Sequence, residues 1–450
     1  MRIQAVFGIG LSALATLVWN TQANADESVV RARQIAETTA LVYFKENVSE
    51  KERKSVLDDM VFNLSAANKS EIAVTSDWFV SEIPFNQAIE AANQEKYKNV
   101  IDHVERNSVV YNFSLGCQNN PQTLPSAFVP EGVSRVGGPF VSASGLAVWI
   151  VDTGVEVTGP YLPGIDFNQA GNCVGVTSCT QITTATKDQV ADQNGHGTML
   201  AGIIAATPKN SKGPTGVAPS AIIIPVKITN DDTINKADLE KGIDFVADHA
   251  NPGDVVNLSW GFRVPTPPDD ENEWKDNHIE DKLRALAHNG IRVVVAAGNW
   301  NPNVPELYLT GGNVQLISPA RIGSDIPTAA SGAQGGIFTI SAVRNDDSFW
   351  KDPVSGSFFG NDPPTYAAPG VDIQSLWYMP DKIQTCSGTS FAAAHVSGVL
   401  LQDKAVLPAT DGTAQGDPSA FDSNNNPVPS QMDPIAICRK TVNTCQPVNH

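Results

Sequence analysis

Five short apolar runs, separated by stretches with helical spacing, restrict the fold of this chain more than any other feature of its sequence. The runs span residues 147–151, 221–224, 254–258, 291–297 and 337–343. None of them alternates cleanly between apolar and polar residues, which is typical of strands that are covered on both faces. Helical spacing lies between them at Lys236 to His249 and at His278 to Asn289, with Gly290 in a C-cap position. The pattern predicts an α/β fold with a doubly wound, mostly parallel sheet.

The first 25 residues have the pattern of an export signal. An apolar stretch from Ala5 to Trp19 is followed by Ala23-Asn24-Ala25, the small-x-small pattern that signal peptidase cleaves, here before Asp26. A membrane anchor is the alternative, but the apolar stretch is short and a good cleavage site follows it. We therefore expect an exported protein, secreted or periplasmic, with no membrane contact once residues 1–25 are removed.

The rest of the chain divides by composition and by pattern. Residues 26–115 are predicted as a small α+β unit, with a strand at Leu41 to Phe44 and a helix that Ser49 caps. Residues 116–144 are rich in Pro, Gly, Ser and Asn and are predicted as a linker. The sheet domain is assigned to residues 145–401, and residues 402–450 form a polar segment whose packing the pattern does not predict.

Charge and length exclude several classes of function. The 450 residues carry 30 basic and 48 acidic side chains, a net charge of −18, which repels phosphate backbones and disfavours nucleic-acid binding. Beyond the N-terminus, no apolar run approaches the roughly 20 residues that a membrane-spanning helix needs. We expect a soluble, monomeric protein with a sizeable core.

The chain contains six cysteines, which allow 15 disulfide pairings and suit an exported protein. Cys173 with Cys179, and Cys438 with Cys445, are close enough in sequence to close small loops. Cys117 and Cys386 then remain, either paired or free. A zinc site is disfavoured because no two cysteines have the Cys-x-x-Cys spacing.

Four polar side chains occupy the positions where functional groups collect in a doubly wound sheet, at the carboxyl ends of strands and the N-termini of helices. Asp152 directly follows the first apolar run, and Asn299 follows the fourth. His196 and Ser390 each stand where an apolar helical stretch begins. We expect the four side chains to meet at one edge of the sheet.

Together these side chains supply what acyl transfer requires. A serine hydroxyl is a weak nucleophile at neutral pH, so Ser390 needs a general base, and the imidazole of His196 titrates in the right range. The carboxylate of Asp152 would hold that imidazole in the correct tautomer. The amide of Asn299 and the backbone N–H of Ser390 would stabilise the oxyanion of the tetrahedral intermediate.

Six motifs resemble those of the subtilisin-like serine proteases, and the order Asp, His, Ser is that of subtilisin. They are Asp152-Thr153-Gly154, Asn194-Gly195-His196-Gly197-Thr198, Gly216-Val217-Ala218-Pro219, Asn257-Leu258-Ser259-Trp260-Gly261, Ala296-Ala297-Gly298-Asn299 and the stretch Ser387 to Gly398. The resemblance covers about residues 145–401. It implies an exported serine endopeptidase, made as a zymogen, that cuts polypeptides through an acyl-enzyme on Ser390.

The resemblance also implies roles for neighbouring residues. Ser259-Trp260-Gly261 would pair with the substrate backbone, and Ala296-Ala297-Gly298 would line the pocket for the side chain before the cut. Residues 26–115 would be a propeptide that inhibits the enzyme until self-cleavage between about Tyr111 and Pro130. No cofactor is required, and calcium is expected only as a structural ion in loops, without an assigned site.

Two other classes of function stay open at this point. Asp152-Thr153-Gly154 is also the signature of aspartic proteases, which need a second carboxylate that shares one proton. The chain has no second Asp-Thr-Gly or Asp-Ser-Gly, so that chemistry would require a dimer. A catalytically inert, peptide-binding relative is the other class, and the presence of all four parts argues against it. Asp188 and Asp192 are interpreted as a solvated loop in preference to a cation site, and His395 as structural.

Overall fold

The structure is a computed structural model. It describes residues 30–64, 78–81, 84–113, 117, 120–143, 145–264, 277–301, 304–308, 311–323, 335–352, 355–360, 365–405, 407–416, 420–421, 427–428 and 433–437. The predicted export signal, residues 1–25, lies outside the described residues, as do Cys438 and Cys445. Within the described residues, no helix combines the length and the hydropathy that crossing a bilayer requires.

The N-terminal unit packs helices against a small antiparallel sheet. Its elements are α1 (30–38), β1 (Ala40–Phe44), α2 (Glu50–Leu64), β2 (Trp78–Ser81), α3 (Phe85–Ala92) and β3 (Ile101–Arg106). The central strand β1 is buried along its whole length and lies antiparallel to β2 and β3. Ser49 caps α2 as predicted, because its hydroxyl bonds the side chain of Glu52 and accepts the Glu52 N–H.

Short elements connect this unit to the main sheet. They are β4 (Val109–Asn112), β5 (Gln122–Thr123) and α4 (Glu131–Arg135). The strand β4 does not join the sheet of the N-terminal unit, because it pairs with two strands of the second unit instead. This pairing crosses the boundary between the two units.

The second unit is built on a long sheet with smaller sheets at its edges. Its strands are β6 (Ala147–Asp152), β7 (Gly171–Asn172), β8 (Thr180–Gln181), β9 (Ile222–Lys227), β10 (Thr233–Asn235), β11 (Val255–Leu258), β12 (Trp260–Arg263), β13 (Arg292–Ala296), β14 (Asn299–Trp300), β15 (Ile317–Ser318), β16 (Gly336–Val343), β17 (Gly356–Ser357), β18 (Tyr366–Pro369), β19 (Ile373–Leu376), β20 (Lys382–Cys386), β21 (Ala409–Thr413), β22 (Ala420–Phe421), β23 (Pro427–Val428) and β24 (Pro434–Ile437). Its helices are α5 (His196–Ala205), α6 (Lys236–His249), α7 (His278–His288), α8 (Pro305–Tyr308) and α9 (Thr389–Leu400), with 3₁₀ turns at Thr184–Val190, Val314–Leu316 and Ala320–Ile322.

The main sheet has ten strands in the described residues, in the order β21-β24-β18-β16-β13-β11-β6-β9-β7-β8. Its neighbours from β24 to β7 are parallel, and the two outermost strands are antiparallel. All five predicted apolar runs are strands of this sheet. Strands β6, β11, β13 and β16 are buried along their whole length, which is why their sequences do not alternate.

The order of the strands winds the sheet in two directions from β6. The chain first moves to β9 on one side, then crosses back to β11 on the other side and continues to β13 and β16. Right-handed crossovers in opposite directions carry their helices to opposite faces, with α5 packed against α9 and α6 packed against α7. The carboxyl ends of β6 and β11 therefore form the switch point where such sheets hold their functional groups.

The residues after 401 extend the sheet. Strand β24 lies parallel to β18, and β21 lies antiparallel to β24. The buried carboxylate of Asp433 accepts a 2.5 Å hydrogen bond from Ser341 of β16, which ties this edge to the core. Strands β21 and β24 of the polar segment therefore form an edge of the main sheet, whereas β22 and β23 pair with each other in a separate two-stranded sheet.

Candidate active site

Asp152 and His196 form a buried pair at the switch point of the sheet. Asp152 is the last residue of β6, and His196 is the first residue of α5. The imidazole Nδ1 lies 2.8 Å from Oδ1 and 3.0 Å from Oδ2 of the carboxylate. The side chains are 0% and 3% exposed, so the pair is shielded from water. The nitrogen that faces the carboxylate donates its hydrogen, and Nε2 is left as the basic nitrogen.

Two further donors hold the carboxylate of Asp152. The backbone N–H of Thr153 donates to Oδ1 at 2.8 Å, and the indole N–H of Trp260 donates to Oδ2 at 3.0 Å. Trp260 is fully buried, and its ring stands nearly edge-on to the ring of His196. Both carboxylate oxygens are therefore fixed, and both face the imidazole.

The surroundings of His196 raise the pKa of its imidazole above the ordinary value. Burial disfavours the charged form, but the charge of Asp152 and its hydrogen bond outweigh burial, with smaller contributions from the carboxylates of Asp232 and Asp192. A base must be neutral to accept a proton, so the raised pKa moves the pH range in which His196 is competent upward from 6.5.

Asp192 positions the start of α5, and its interpretation as part of a solvated loop is wrong. Its side chain is buried and accepts backbone N–H groups from Asn194, Gly195 and Thr198, at 2.9 Å each. These bonds satisfy donors at the helix N-terminus that have no partner inside the helix. Burial raises the pKa of Asp192 despite these bonds. Asp188, in contrast, is exposed as predicted.

Ser390 lies in the first turn of α9 and is fully buried. In the described residues, neither its Oγ nor Nε2 of His196 has a hydrogen-bond partner. The ring of His196 lies 5.9 Å from the ring of Phe391, the residue that follows Ser390. The structure therefore brings His196 and the segment of Ser390 together without joining the two atoms by a hydrogen bond.

The side chain of Asn299 is oriented by its oxygen. Oδ1 accepts the backbone N–H of Thr389 at 3.0 Å and the Thr389 hydroxyl at 2.9 Å. The amide nitrogen Nδ2 is buried and has no partner among the described residues. A buried donor without an acceptor is costly, so its retention beside Ser390 points to an acceptor that arrives with a substrate.

The end of the N-terminal unit crosses this site as an extended strand. In β4, Asn112 pairs with Trp260 and Tyr111 pairs with Gly261, in an antiparallel arrangement. The next residue, Phe113, donates its N–H to the carbonyl of Ser259 at 3.1 Å. Its own carbonyl accepts the backbone N–H of Ser390, also at 3.1 Å. The predicted substrate edge, Ser259-Trp260-Gly261, is thus occupied by the chain itself.

The side chain of Phe113 fills a pocket that is lined by Gly261 and Gly298. Its ring lies so close to Gly261 and Gly298 that a Cβ built on them would come within 2.5 Å and 3.4 Å of the ring. The ring of Phe358 also lies close to Gly298, since the same Cβ would come within 2.8 Å of it. Of the predicted pocket residues, Gly298 meets this ring, whereas Ala296 and Ala297 are buried where β13 ends.

Two disulfides lie in the described residues, and one of them borders the site. Cys173 is bonded to Cys179, one of the pairings that the sequence left open, and Cys117 is bonded to Cys386. Cys386 ends β20, immediately before the segment of Ser390. Cys117, four residues after Phe113, is therefore anchored next to the segment of Ser390.

Comparison with known proteins identifies the family. The model described as "Subtilase family" matches residues 143–415, which is more than half of the chain and includes all four predicted catalytic side chains. The chain belongs to the subtilase family. Among curated relatives of this subtilase, the subtilisin of Bacillus sp. (strain TA39) is 24% identical over 309 residues, 68% of this chain and 66% of the relative. Cerevisin of Saccharomyces cerevisiae is 26% identical over 434 residues, 88% of this chain and 60% of the relative.

These alignments span about two thirds or less of the length of those curated relatives. A solved structure of the epidermin leader peptide processing serine protease of Staphylococcus aureus is 18% identical, covers 81% of this chain and 88% of that chain, and has a TM-score of 0.56. At this identity the likeness shows the fold alone. It confirms the predicted α/β fold of the subtilase, with its mostly parallel sheet.

Sequence reasoning missed three contacts that the structure brings to the site, two of them from residues that it had not assigned to the site. They are Phe113 in the pocket, Thr389 on the oxygen of Asn299, and the indole of Trp260 on Asp152. His395 is structural, as predicted, since it is fully buried and its Nδ1 lies 2.8 Å from the carbonyl of Phe391. Burial lowers the pKa of His395 to about 4, which keeps its imidazole neutral.

Proposed function

We propose that this subtilase is an exported serine endopeptidase, made as a zymogen, that hydrolyses peptide bonds of polypeptides through an acyl-enzyme on Ser390. One observation carries the proposal. A peptide carbonyl, that of Phe113, lies on the N–H of Ser390 in a site that also holds the Asp152–His196 pair and the unused amide of Asn299. This is the position that a carbonyl must take to be attacked and to have its oxyanion stabilised.

Each residue has one task in the proposed reaction. Ser390 Oγ adds to the carbonyl carbon while His196 Nε2 takes its proton, and Asp152 stabilises the imidazolium that forms. The N–H of Ser390 and Nδ2 of Asn299 receive the oxyanion. His196 then gives the proton to the leaving amine. In the second half of the reaction His196 takes a proton from water, the water attacks the ester carbon, and His196 returns the proton to Ser390 Oγ as the acyl group leaves.

The contacts of the N-terminal unit support its role as an intramolecular inhibitor. Glu105 forms a buried ion pair with Lys236 and accepts the N–H of His278 at 2.9 Å. Tyr43 donates its hydroxyl to the buried carboxylate of Glu240 at 2.7 Å, and Asn107 accepts the N–H of Ala237 at 3.0 Å. The unit thus docks on α6 and α7 and lays β4 across the substrate edge, which blocks other peptides.

The disulfides support the proposed export. Structural disulfides persist in oxidising compartments and are rare in the reducing cytosol. Both described disulfides, Cys117–Cys386 and Cys173–Cys179, lie within or next to the catalytic unit. Their formation is therefore consistent with folding after transport.

The bonding of Asp152 argues against an aspartic protease. That chemistry needs two carboxylates that share a proton. Among the described residues, the groups bonded to Asp152 are Thr153, His196 and Trp260, and all three act as donors. Within the part of the chain that the structure describes, no carboxylate is hydrogen-bonded to Asp152.

Covalent labelling tests the proposal against both alternatives. A fluorophosphonate, which reacts with activated serines, will abolish hydrolysis of casein at neutral pH, and peptide mapping will find its mass on Ser390. Pepstatin, which is directed at aspartic proteases, will have no effect. Hydrolysis that resists the fluorophosphonate but stops with pepstatin would assign the chemistry to Asp152. A protein that binds peptides but takes no label and cuts nothing would be an inert relative.

A further inference from the structure

We infer that the bond between Phe113 and Ser114 is the one that this enzyme cuts in its own chain, and that the same pocket selects phenylalanine before the cut in other polypeptides. The inference rests on the proposed function. The inference goes beyond the proposed function because it assigns self-cleavage to one bond, where the sequence predicted only a region between about Tyr111 and Pro130.

Hydrogen bonds fix the register of the chain at the nucleophile. Phe113 N–H donates to Ser259, and the carbonyl of Phe113 accepts from the N–H of Ser390, each at 3.1 Å. Asn112 and Tyr111 continue the pairing along β12. A shift by one residue would turn the buried ring out of its pocket and break the whole ladder.

A disulfide to Cys386 anchors the chain shortly after Phe113. Cys117 stands four positions after Phe113, and Cys386 stands four positions before Ser390. Phe113 and Cys117, the described residues on either side of this short stretch, are therefore both tied to the segment that holds Ser390. The carbonyl on Ser390 N–H is that of Phe113. The peptide bond that this carbonyl forms with the next residue is therefore the one that we assign as the cleaved bond.

The pocket accounts for the choice of residue. Phe113 is fully buried, and its ring occupies the space that a side chain at Gly261 or Gly298 would fill. Phe128 is the other phenylalanine in the predicted window, but it is only partly buried. Its N–H donates to Gly213 and its carbonyl accepts from Thr215, far along the chain from the nucleophile.

The step balances with water as the co-reactant. Ser390 Oγ forms an ester with the carbonyl carbon of Phe113, and the C–N bond to Ser114 breaks while the amine of Ser114 takes the proton from His196. Water then hydrolyses the ester, which gives the carboxylate of Phe113 and restores the hydroxyl of Ser390. The products are residues 26–113 and a chain that begins at Ser114.

Mass spectrometry of the refolded precursor tests this assignment. The mature chain will begin at Ser114. Phe113→Asp will slow the first-order self-cleavage by about 100-fold, because it would bury a charge in an apolar pocket. The control is Phe128→Asp, the same substitution at the other phenylalanine of the predicted region. It will leave both the rate of self-cleavage and the cleaved bond unchanged.

A peptide substrate keeps the test independent of folding. The mature wild-type enzyme will hydrolyse succinyl-Val-Tyr-Asn-Phe-p-nitroanilide with a kcat/KM about 100-fold above that of the same peptide with aspartate in place of phenylalanine. An active enzyme whose chain begins elsewhere, or that cuts both peptides equally, overturns the assignment but leaves the proposed function intact. An enzyme that takes no label on Ser390 overturns both.

A separate observation, the hydrogen bond from Trp260 to Asp152, carries a second proposal. We propose that Trp260 is a positioning residue whose indole N–H holds the catalytic carboxylate in the plane that His196 requires. Its backbone pairs with Asn112 at the substrate edge, while its indole donates to Oδ2 of Asp152 at 3.0 Å. One residue therefore joins the substrate strand to the carboxylate.

Removal of the indole N–H tests this role. Trp260→Phe will lower the first-order rate of self-cleavage by about tenfold, the worth of a hydrogen bond to a charged group, and will leave KM for the peptide anilide unchanged. The acidic limb of the pH–rate profile will move to higher pH. Without the indole N–H, the negative charge of Asp152 is less stabilised by hydrogen bonding, so it raises the pKa of His196 further. Asp192 and Asp232, the other carboxylates that act on His196, are unaltered by the change.

Trp149→Phe is the matched control. Trp149 is also fully buried, but it donates its indole N–H to Asp254 at 3.0 Å, whereas Trp260 donates to Asp152. This variant will keep the wild-type rate and pH profile. If Trp260→Phe does not fold, replacement of Trp260 by 3-benzothienylalanine, in which sulfur stands for the N–H, retains the size of the ring. Full activity with an unshifted acidic limb in that protein would reduce Trp260 to a packing role.

Discussion

A Ser390→Ala precursor will remain uncut after purification, and it will hydrolyse casein about a million-fold more slowly than the mature wild type, the size of effect measured when such a nucleophile is removed. The reason is chemical. Ser390 Oγ is the atom that must bond to the carbonyl of Phe113, and alanine retains only the Cβ. The N–H of residue 390 and the amide of Asn299 stay in place, so the N-terminal unit will still dock. Mass spectrometry and a casein assay measure both outcomes.

Ser397→Ala is the control for this variant. Ser397 lies on the same helix, α9, and is also fully buried, but its hydroxyl accepts a 3.0 Å hydrogen bond from Asn257. Its loss will affect stability without removing a reacting atom, so this precursor will mature. Self-cleavage that persists in the purified Ser390→Ala protein, free of any other protease, would remove Ser390 from the role of nucleophile.

The sheet and the positions of the triad could be predicted because their signals are local. The run that becomes β6 is buried on both faces, so it is apolar throughout, and Asp152 ends it. The carboxyl end of a central parallel strand lies at the edge where functional groups meet. His196 and Ser390 follow the same logic at the N-termini of α5 and α9. The apolar runs and the helical spacing of the sequence are therefore enough to predict the positions of Asp152, His196 and Ser390.

The occupant of the site could not be predicted because it depends on a distant pairing. Strand β4 pairs with β12, about 150 residues further along the chain, and nothing local to Phe113 specifies that partner. A weak signal exists, since an apolar strand at Val109 to Tyr111 ends the N-terminal unit and an aromatic residue follows shortly after it. The same limit explains Asp192. An acidic residue among polar neighbours resembles a solvated loop until the helix N-terminus whose N–H groups it accepts is placed beside it.

The indole of Trp260 illustrates a third case. Its motif marks the substrate edge, and the structure finds its backbone there. The direction of its side chain depends on β6 and β11 being neighbours at the switch point, so that a residue just past β11 reaches Asp152. Adjacency of strands is a property of the sheet order, which the motif alone does not contain.

Asn299→Ala will slow self-cleavage of the precursor by about 100- to 1,000-fold, the usual effect of removing one donor to an oxyanion. The strand β4 is already docked in the precursor, so this first-order rate reports the chemical step without a binding step. The structure gives the reason for the size of the effect. Oδ1 of Asn299 is held by Thr389, which leaves Nδ2 as the unused donor of this amide next to the segment of Ser390.

Asn299→Asp separates hydrogen-bond donation from packing. Aspartate has the same shape and can retain the contact with Thr389, but it presents an acceptor where the amide presented a donor. We therefore expect a loss at least as large as that of alanine. For the matured variants, affinity for a peptide aldehyde, which forms a tetrahedral adduct on serine, will fall in proportion to kcat/KM, while KM changes little. An Asn299→Asp enzyme with the wild-type rate would mean that the oxyanion forms elsewhere.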